Sequence, residues 1–143
     1  MFTYVCLGTN DLAAAIEFYD AVLAPLALRR CITPEDEDWT GWAGWGAYDG
    51  NSANELALWI CKPFDGRSAT AGNGTMIALR ASSREAVRGF HDVAVRLGGR
   101  SEGGPGLRPQ HGADFYAAYI RDLDGNKLAA VCRGTESRRS GTQ

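Results

Sequence analysis

Apolar residues along the chain follow two alternating periods. Phe2 to Thr9 is rich in aromatic and β-branched residues and reads as a strand. Leu12, Ile16, Tyr19, Leu23 and Leu26 then recur at three- and four-residue steps, which places them on one helical stripe. Asn10 or Asp11 can cap this helix, and Pro25 limits it. Strand-like runs follow at Leu28–Ile32, Trp42–Tyr48 and Glu55–Cys61, with an acidic loop at Glu35–Asp38 before Trp39. The order then begins again. Thr75–Ala81 is a strand, and Ser82 with Glu85 three places on is a capping box. Ala86, Phe90, Val93 and Leu97 form the stripe of the second helix, which Gly98 and Gly99 end. Gly103-Gly104-Pro105-Gly106 reads as a loop, with no GK[ST] to make it a phosphate cradle. The last two strands, Phe115–Arg121 and Leu128–Cys132, flank Asp122-Leu123-Asp124-Gly125-Asn126, residues that tolerate the positive φ of a hairpin turn.

The halves also match each other. A shift of 71 brings Ala15-Ile16 onto Ala86-Val87, Tyr19 onto Phe90, Val22 onto Val93 and Leu26 onto Leu97. A shift of 72 brings Asn54-x-Leu56-Ala57 onto Asn126-x-Leu128-Ala129. Internal duplication is the simple account. One half alone leaves a sheet face bare, so the expected architecture is α+β: two βαβββ modules forming curved mixed sheets around a central pocket, helices outside. The boundaries read as one domain over residues 1–133: a first module at 1–62, a Gly-, Ala- and Ser-rich linker at 63–74 and a second module at 75–133, followed by a polar tail at 134–143.

Composition narrows the functions. A chain of 143 residues with net charge −2 carries no basic field for nucleic acid or an anionic membrane. No apolar run reaches the roughly 20 residues that span a bilayer. No basic and then apolar leader is visible, so a cytoplasmic protein is the default expectation. Cys6, Cys31, Cys61 and Cys132 form no CxxC, and their apolar neighbours suit thiols that pack as small hydrophobes. Asp122, Asp124 and Asn126 imitate calcium-loop spacing, but the glycine comes one place early and Arg133 stands where a bidentate Glu is required.

The closing hairpin with D-x-D-G-N, together with Tyr4-Val5-Cys6-Leu7-Gly8-Thr9-Asn10-Asp11-Leu12 and Phe18-Tyr19, resembles the vicinal oxygen chelate superfamily. That superfamily includes glyoxalase I, extradiol dioxygenases, fosfomycin-resistance enzymes and bleomycin-resistance proteins. The resemblance spans roughly residues 2–133 and implies a homodimer with a metal held by one ligand on each of four strands. The ligand positions it implies fall on Tyr4, Met76, Ala129 and Ala57, with Glu55 two residues from Ala57 on the same face. These side chains are not a donor set for a divalent ion. No metal and no other cofactor is therefore expected.

Strand alternation puts Glu55, Ala57, Trp59 and Cys61 on the cavity side, and on the first strand Phe2, Tyr4 and Cys6 share one face. The candidate ligand-binding residues are Tyr4, Trp59, Met76, Arg80, Tyr119 and Ala129, and the candidate acid–base residues are Glu55 and His111. Trp39, Trp42 and Trp45 are candidates for the pocket mouth or for sheet packing. Two readings result. One is a metal-free, bleomycin-resistance-like protein that binds a small, partly apolar molecule between the modules. The other is an isomerase or lyase using Glu55 or His111, metal-independent or with an atypical metal; whether the chain is an enzyme stays open.

Overall fold

In the computed structural model of the protein, residues 1–31, 41–47 and 57–134 are described. Strand β1 (Tyr4–Gly8), helix α1 (Leu12–Leu23) and strands β2 (Arg29–Arg30), β3 (Trp42–Gly46) and β4 (Ala57–Cys61) make a first module. Strand β5 (Met76–Arg80), helix α2 (Arg84–Arg96) and strands β6 (Arg100–Leu107), β7 (Tyr116–Arg121) and β8 (Lys127–Cys132) repeat that order. Each module contributes one four-stranded sheet, ordered β1-β4-β3-β2 and β5-β8-β7-β6. In both sheets the first strand lies parallel to the last, and the remaining pairs are antiparallel. The chain is thus α+β with two mixed-sheet modules, as the apolar pattern predicts, and the sheets stay open rather than closing into a barrel.

Local signals settle most element ends. Asp11, not Asn10, caps α1, its carboxylate accepting from the Ala14 N–H at 3.1 Å. Asn10 instead donates to the Ala69 carbonyl at 3.1 Å and accepts from its N–H at 2.7 Å. Pro25 lies in a 3-10 turn, Ala24–Leu26, that ends the helix. In α2 the cap is Ser83, one residue later than the predicted capping box, and its hydroxyl accepts from the Ala86 N–H at 3.0 Å. The buried stripe is accordingly Ala86, Val87, Phe90 and Ala94, and Leu97 is exposed. Gly103-Gly104-Pro105-Gly106 is not a loop but part of β6, whose pairing with β7 slips on either side of Gly103. Glycine and proline weaken a strand pattern in sequence, and bulges accommodate them. Pairing also shifts the internal match. Tyr4 lies opposite Ala57 and Met76 opposite Lys127, so Lys127 rather than Ala129 takes the place of Ala57 in the second sheet.

One core serves both modules. Phe18, Tyr19, Val22 and Leu23 of α1 and Val87, Phe90 and Ala94 of α2 pack with Trp45, Leu58, Ile60, Ile120 and Leu128. The two helices touch each other. Fully burying each large apolar side chain contributes about 1.5–3 kcal/mol.

The turn between β7 and β8 does more than reverse the chain. Buried Asp122 accepts from the Tyr19 hydroxyl, from the N–H groups of Asp124 and Asn126, and from Asn126 Nδ2. Asp124 accepts from the Thr9 hydroxyl at 2.6 Å and the Asn10 N–H at 2.8 Å. Asn126 Nδ2 donates to the Gly8 carbonyl at 2.9 Å. The carboxylates that imitate a calcium loop in sequence are occupied by the chain's own donors, and they tie the second module to the end of β1.

Candidate functional site

Each sheet buries one face in the shared core and leaves the other open. In the first sheet, Leu7, Ala43, Trp45, Leu58 and Ile60 point to the core. By strand alternation and register, Tyr4, Cys6, Ala57, Trp59, Cys61, Trp42 and Gly44 lie on the opposite face. Tyr4 is 61% exposed there and Trp42 38%. The Trp59 indole lies across Gly44: a Cβ built on that glycine would fall 2.6 Å from the ring. Trp42 meets Trp59 edge-on, with centroids 6.4 Å apart. The three tryptophans considered for the mouth therefore separate. Trp42 is on the open face, Trp45 is in the core with its indole N–H on Asp20 at 2.9 Å, and Trp39 lies outside the described residues. Cys6 and Cys61 share this face, and partial desolvation pushes both thiols up from their ordinary value. Cys6 is exposed, unlike the buried thiols the sequence predicts.

In the second sheet the open face carries Met76, Ala78 and Arg80 from β5, Lys127, Ala129 and Val131 from β8, and Ala117, Tyr119 and Arg121 from β7. Tyr119 lies opposite Ala129 on one side and Gly103 on the other. Ala129 is fully buried beneath its neighbours and presents no surface on that face. The Arg108 guanidinium sits 5.5 Å from the Tyr119 ring centroid and the Lys127 ammonium 5.6 Å from it. Arg121 donates to Glu102 at 2.7 Å and to the Gly125 carbonyl at 2.9 Å. That Arg121 hydrogen bond, with the neighbouring cations, holds the Glu102 carboxyl below the usual carboxylate range. Met76 is 44% exposed at one end of β5, and Arg80 is exposed at the other.

The predicted site residues thus fall into two groups and two outliers. Tyr4 and Trp59 lie on the first open face; Met76, Arg80, Tyr119 and Ala129 lie on the second. Glu55 lies outside the described residues. His111 is exposed in a 3-10 turn, Pro109–His111, with its ring 5.2 Å from Phe115, and it forms no hydrogen bond to another predicted site residue among the described ones. Arg108 and Lys127 were missed. Alternation from Ala129 finds Lys127, but nothing in sequence brings Arg108 to Tyr119, because that approach depends on the glycines of β6.

A glyoxalase/bleomycin resistance protein from Albidiferax ferrireducens T118 is similar to this chain over 94% of its length and 99% of the relative's, at 32% identity and a TM-score of 0.77. The chain belongs to the glyoxalase/bleomycin resistance protein/dioxygenase superfamily. A family enzyme from Burkholderia phytofirmans PsJN shares the fold at 18% identity and a TM-score of 0.66, covering 92% of this chain and 98% of that one. So does the fosfomycin resistance protein FosX from Listeria monocytogenes, at 15% identity and a TM-score of 0.62, covering 94% and 93%. No family model and no curated protein matches the chain. The metal positions implied by the superfamily hold a phenol at Tyr4, a thioether at Met76 and methyl groups at Ala57 and Ala129. Among the described residues no three His, Cys, Asp or Glu side chains gather where an ion could sit. This donor set does not fit a divalent cation.

Proposed function

We propose that the protein binds a small, partly apolar molecule on the open faces of its two modules, without the superfamily's metal, and that a second copy of the chain helps to enclose it. The observation that carries this reading is Trp59, laid across Gly44 beside Trp42 on a face the core leaves uncovered. Aromatic walls with a few polar groups are how small-molecule sites are usually lined. Tyr4, Trp59, Met76 and Tyr119 supply the walls and Arg80 a charged edge, with Ala129 buried beneath them. Tyr4, Trp42 and Met76 leave much of their apolar surface in water in a single chain, and such surface marks an interaction site. Bleomycin resistance in the name of the Albidiferax relative accords with sequestration. For acid–base catalysis the described residues offer His111, exposed against Phe115 with no carboxylate to orient it.

The test is a screen of small molecules by melting temperature. A ligand that raises it, is recovered unchanged, and loses its effect in Trp59→Ala is the expected result. Turnover abolished by Glu55→Gln, or stoichiometric zinc, nickel, iron or manganese in freshly purified protein, overturns the reading.

A further inference from the structure

The two open faces differ in charge. Among the described residues, the first carries Tyr4, Trp42 and Trp59 around small side chains, with Arg29 at its edge. The second carries Arg80, Arg100, Arg108, Arg121 and Lys127, and one acid, Glu102. Glu102 is already taken by Arg121 at 2.7 Å and Arg100 at 3.8 Å. Arg80, Arg108 and Lys127 have no carboxylate within ion-pair distance among the described residues.

The placement of Arg108 is built into β6. Its guanidinium folds back along the strand, where Nη2 donates to the Gly104 carbonyl at 2.6 Å. The glycines beside it leave it room. A Cβ on Gly103 would fall 3.1 Å from Tyr119 Cδ2 and 3.3 Å from Arg108 Nη2, and one on Gly106 would fall 3.1 Å from Arg108 Nη1. The Gly-rich run therefore seats a cation over Tyr119, with Lys127 as the second cation on the same ring. Among the described residues, five cations against one acid that is already paired give this face a positive field, which favours an anion. A guanidinium with free N–H groups also recognises carboxylate and phosphoryl oxygens geometrically.

We infer that the ligand is anionic: its carboxylate or phosphoryl group binds on the second open face, where Arg108 and Lys127 flank the Tyr119 ring. This inference rests on the proposed small-molecule reading and names the ligand's chemical class. Calorimetric titration with 1-naphthoate, 1-naphthyl phosphate and neutral 1-naphthamide tests it. Either anion should bind about tenfold tighter than the amide, with the advantage shrinking as salt rises; the stronger of the two names the oxyanion. Arg108→Met and Lys127→Met should each remove most of that advantage. Gly106→Ala, which preserves every charge but crowds Arg108, should remove part of it, and Arg96→Gln on α2 should leave it intact. If the amide binds as tightly as both anions, or if both Met variants keep the anion preference, the inference is overturned and the binding reading stands. If none of the three probes binds, both are overturned.

Discussion

Gly44 and Trp59 illustrate how a site residue depends on a position with no side chain. The indole can lie flat only because Gly44 has no Cβ, which would sit 2.6 Å from it. Gly44→Ala should therefore tilt the ring and cost about 1–3 kcal/mol by overpacking. Urea denaturation reads the cost, and an unchanged midpoint would mean that the ring does not rest there. Tyr19 carries a second residue-scale prediction. Burial, then the Asp122 carboxylate, pushes its phenol well above the ordinary value. A raised folded pKa stabilises fully below the unfolded value of about 10, and the stabilisation is lost as pH rises toward the folded value. Melts between pH 8 and pH 11 (about the range over which a phenol titrates) should show a smaller alkaline fall in Tyr19→Phe than in the natural chain. An equal fall would contradict the assignment. His91, hydrogen-bonded to Ser101 at 2.8 Å, has its pKa lowered by desolvation. Its contribution is full above about 6.5 and is lost as pH falls, so His91→Gln should flatten the acid side of the stability curve.

At the scale of elements, both helices were legible because their stripes repeat every three or four residues and their ends carry caps. The closing hairpin was legible from its turn residues. Strand β6 was not, since Gly103, Gly104, Pro105 and Gly106 carry no apolar alternation and the strand is held by pairing with β7. The turn 122–126 was read correctly as a reversal but not as a clasp, because its partners Gly8, Thr9, Asn10 and Tyr19 are more than a hundred residues away. A double-mutant cycle of Thr9→Val with Asp124→Ala should show a coupling of about 0.5–3 kcal/mol. Strict additivity would show that the 2.6 Å bond between them contributes nothing.

At the scale of the whole molecule, the duplication gave the architecture and strand alternation gave the faces. Tyr4, Trp59, Met76 and Tyr119, expected to line a cavity between the modules, lie on the sheet faces turned away from the shared core. The chemistry was less legible, because a cation's placement depends on side chains that fold back over neighbouring strands, as Arg108 does. Enclosure by a second copy predicts a dimer in light scattering at micromolar concentration, and Tyr4→Asp with Met76→Asp should shift it toward monomer. A monomeric natural chain would leave the open faces unclosed.

The central claim is that small molecules bind on the open faces and not in the core. It is tested most directly by the indole N–H resonances of the protein during titration with 1-naphthoate and 1-naphthamide, assigned by single Trp→Phe variants. The signals of Trp59 and Trp42 should move while that of Trp45, buried with its N–H on Asp20, stays fixed. Movement of Trp45 with Trp42 and Trp59 unmoved, or no movement at saturating concentrations of either probe, would contradict the account.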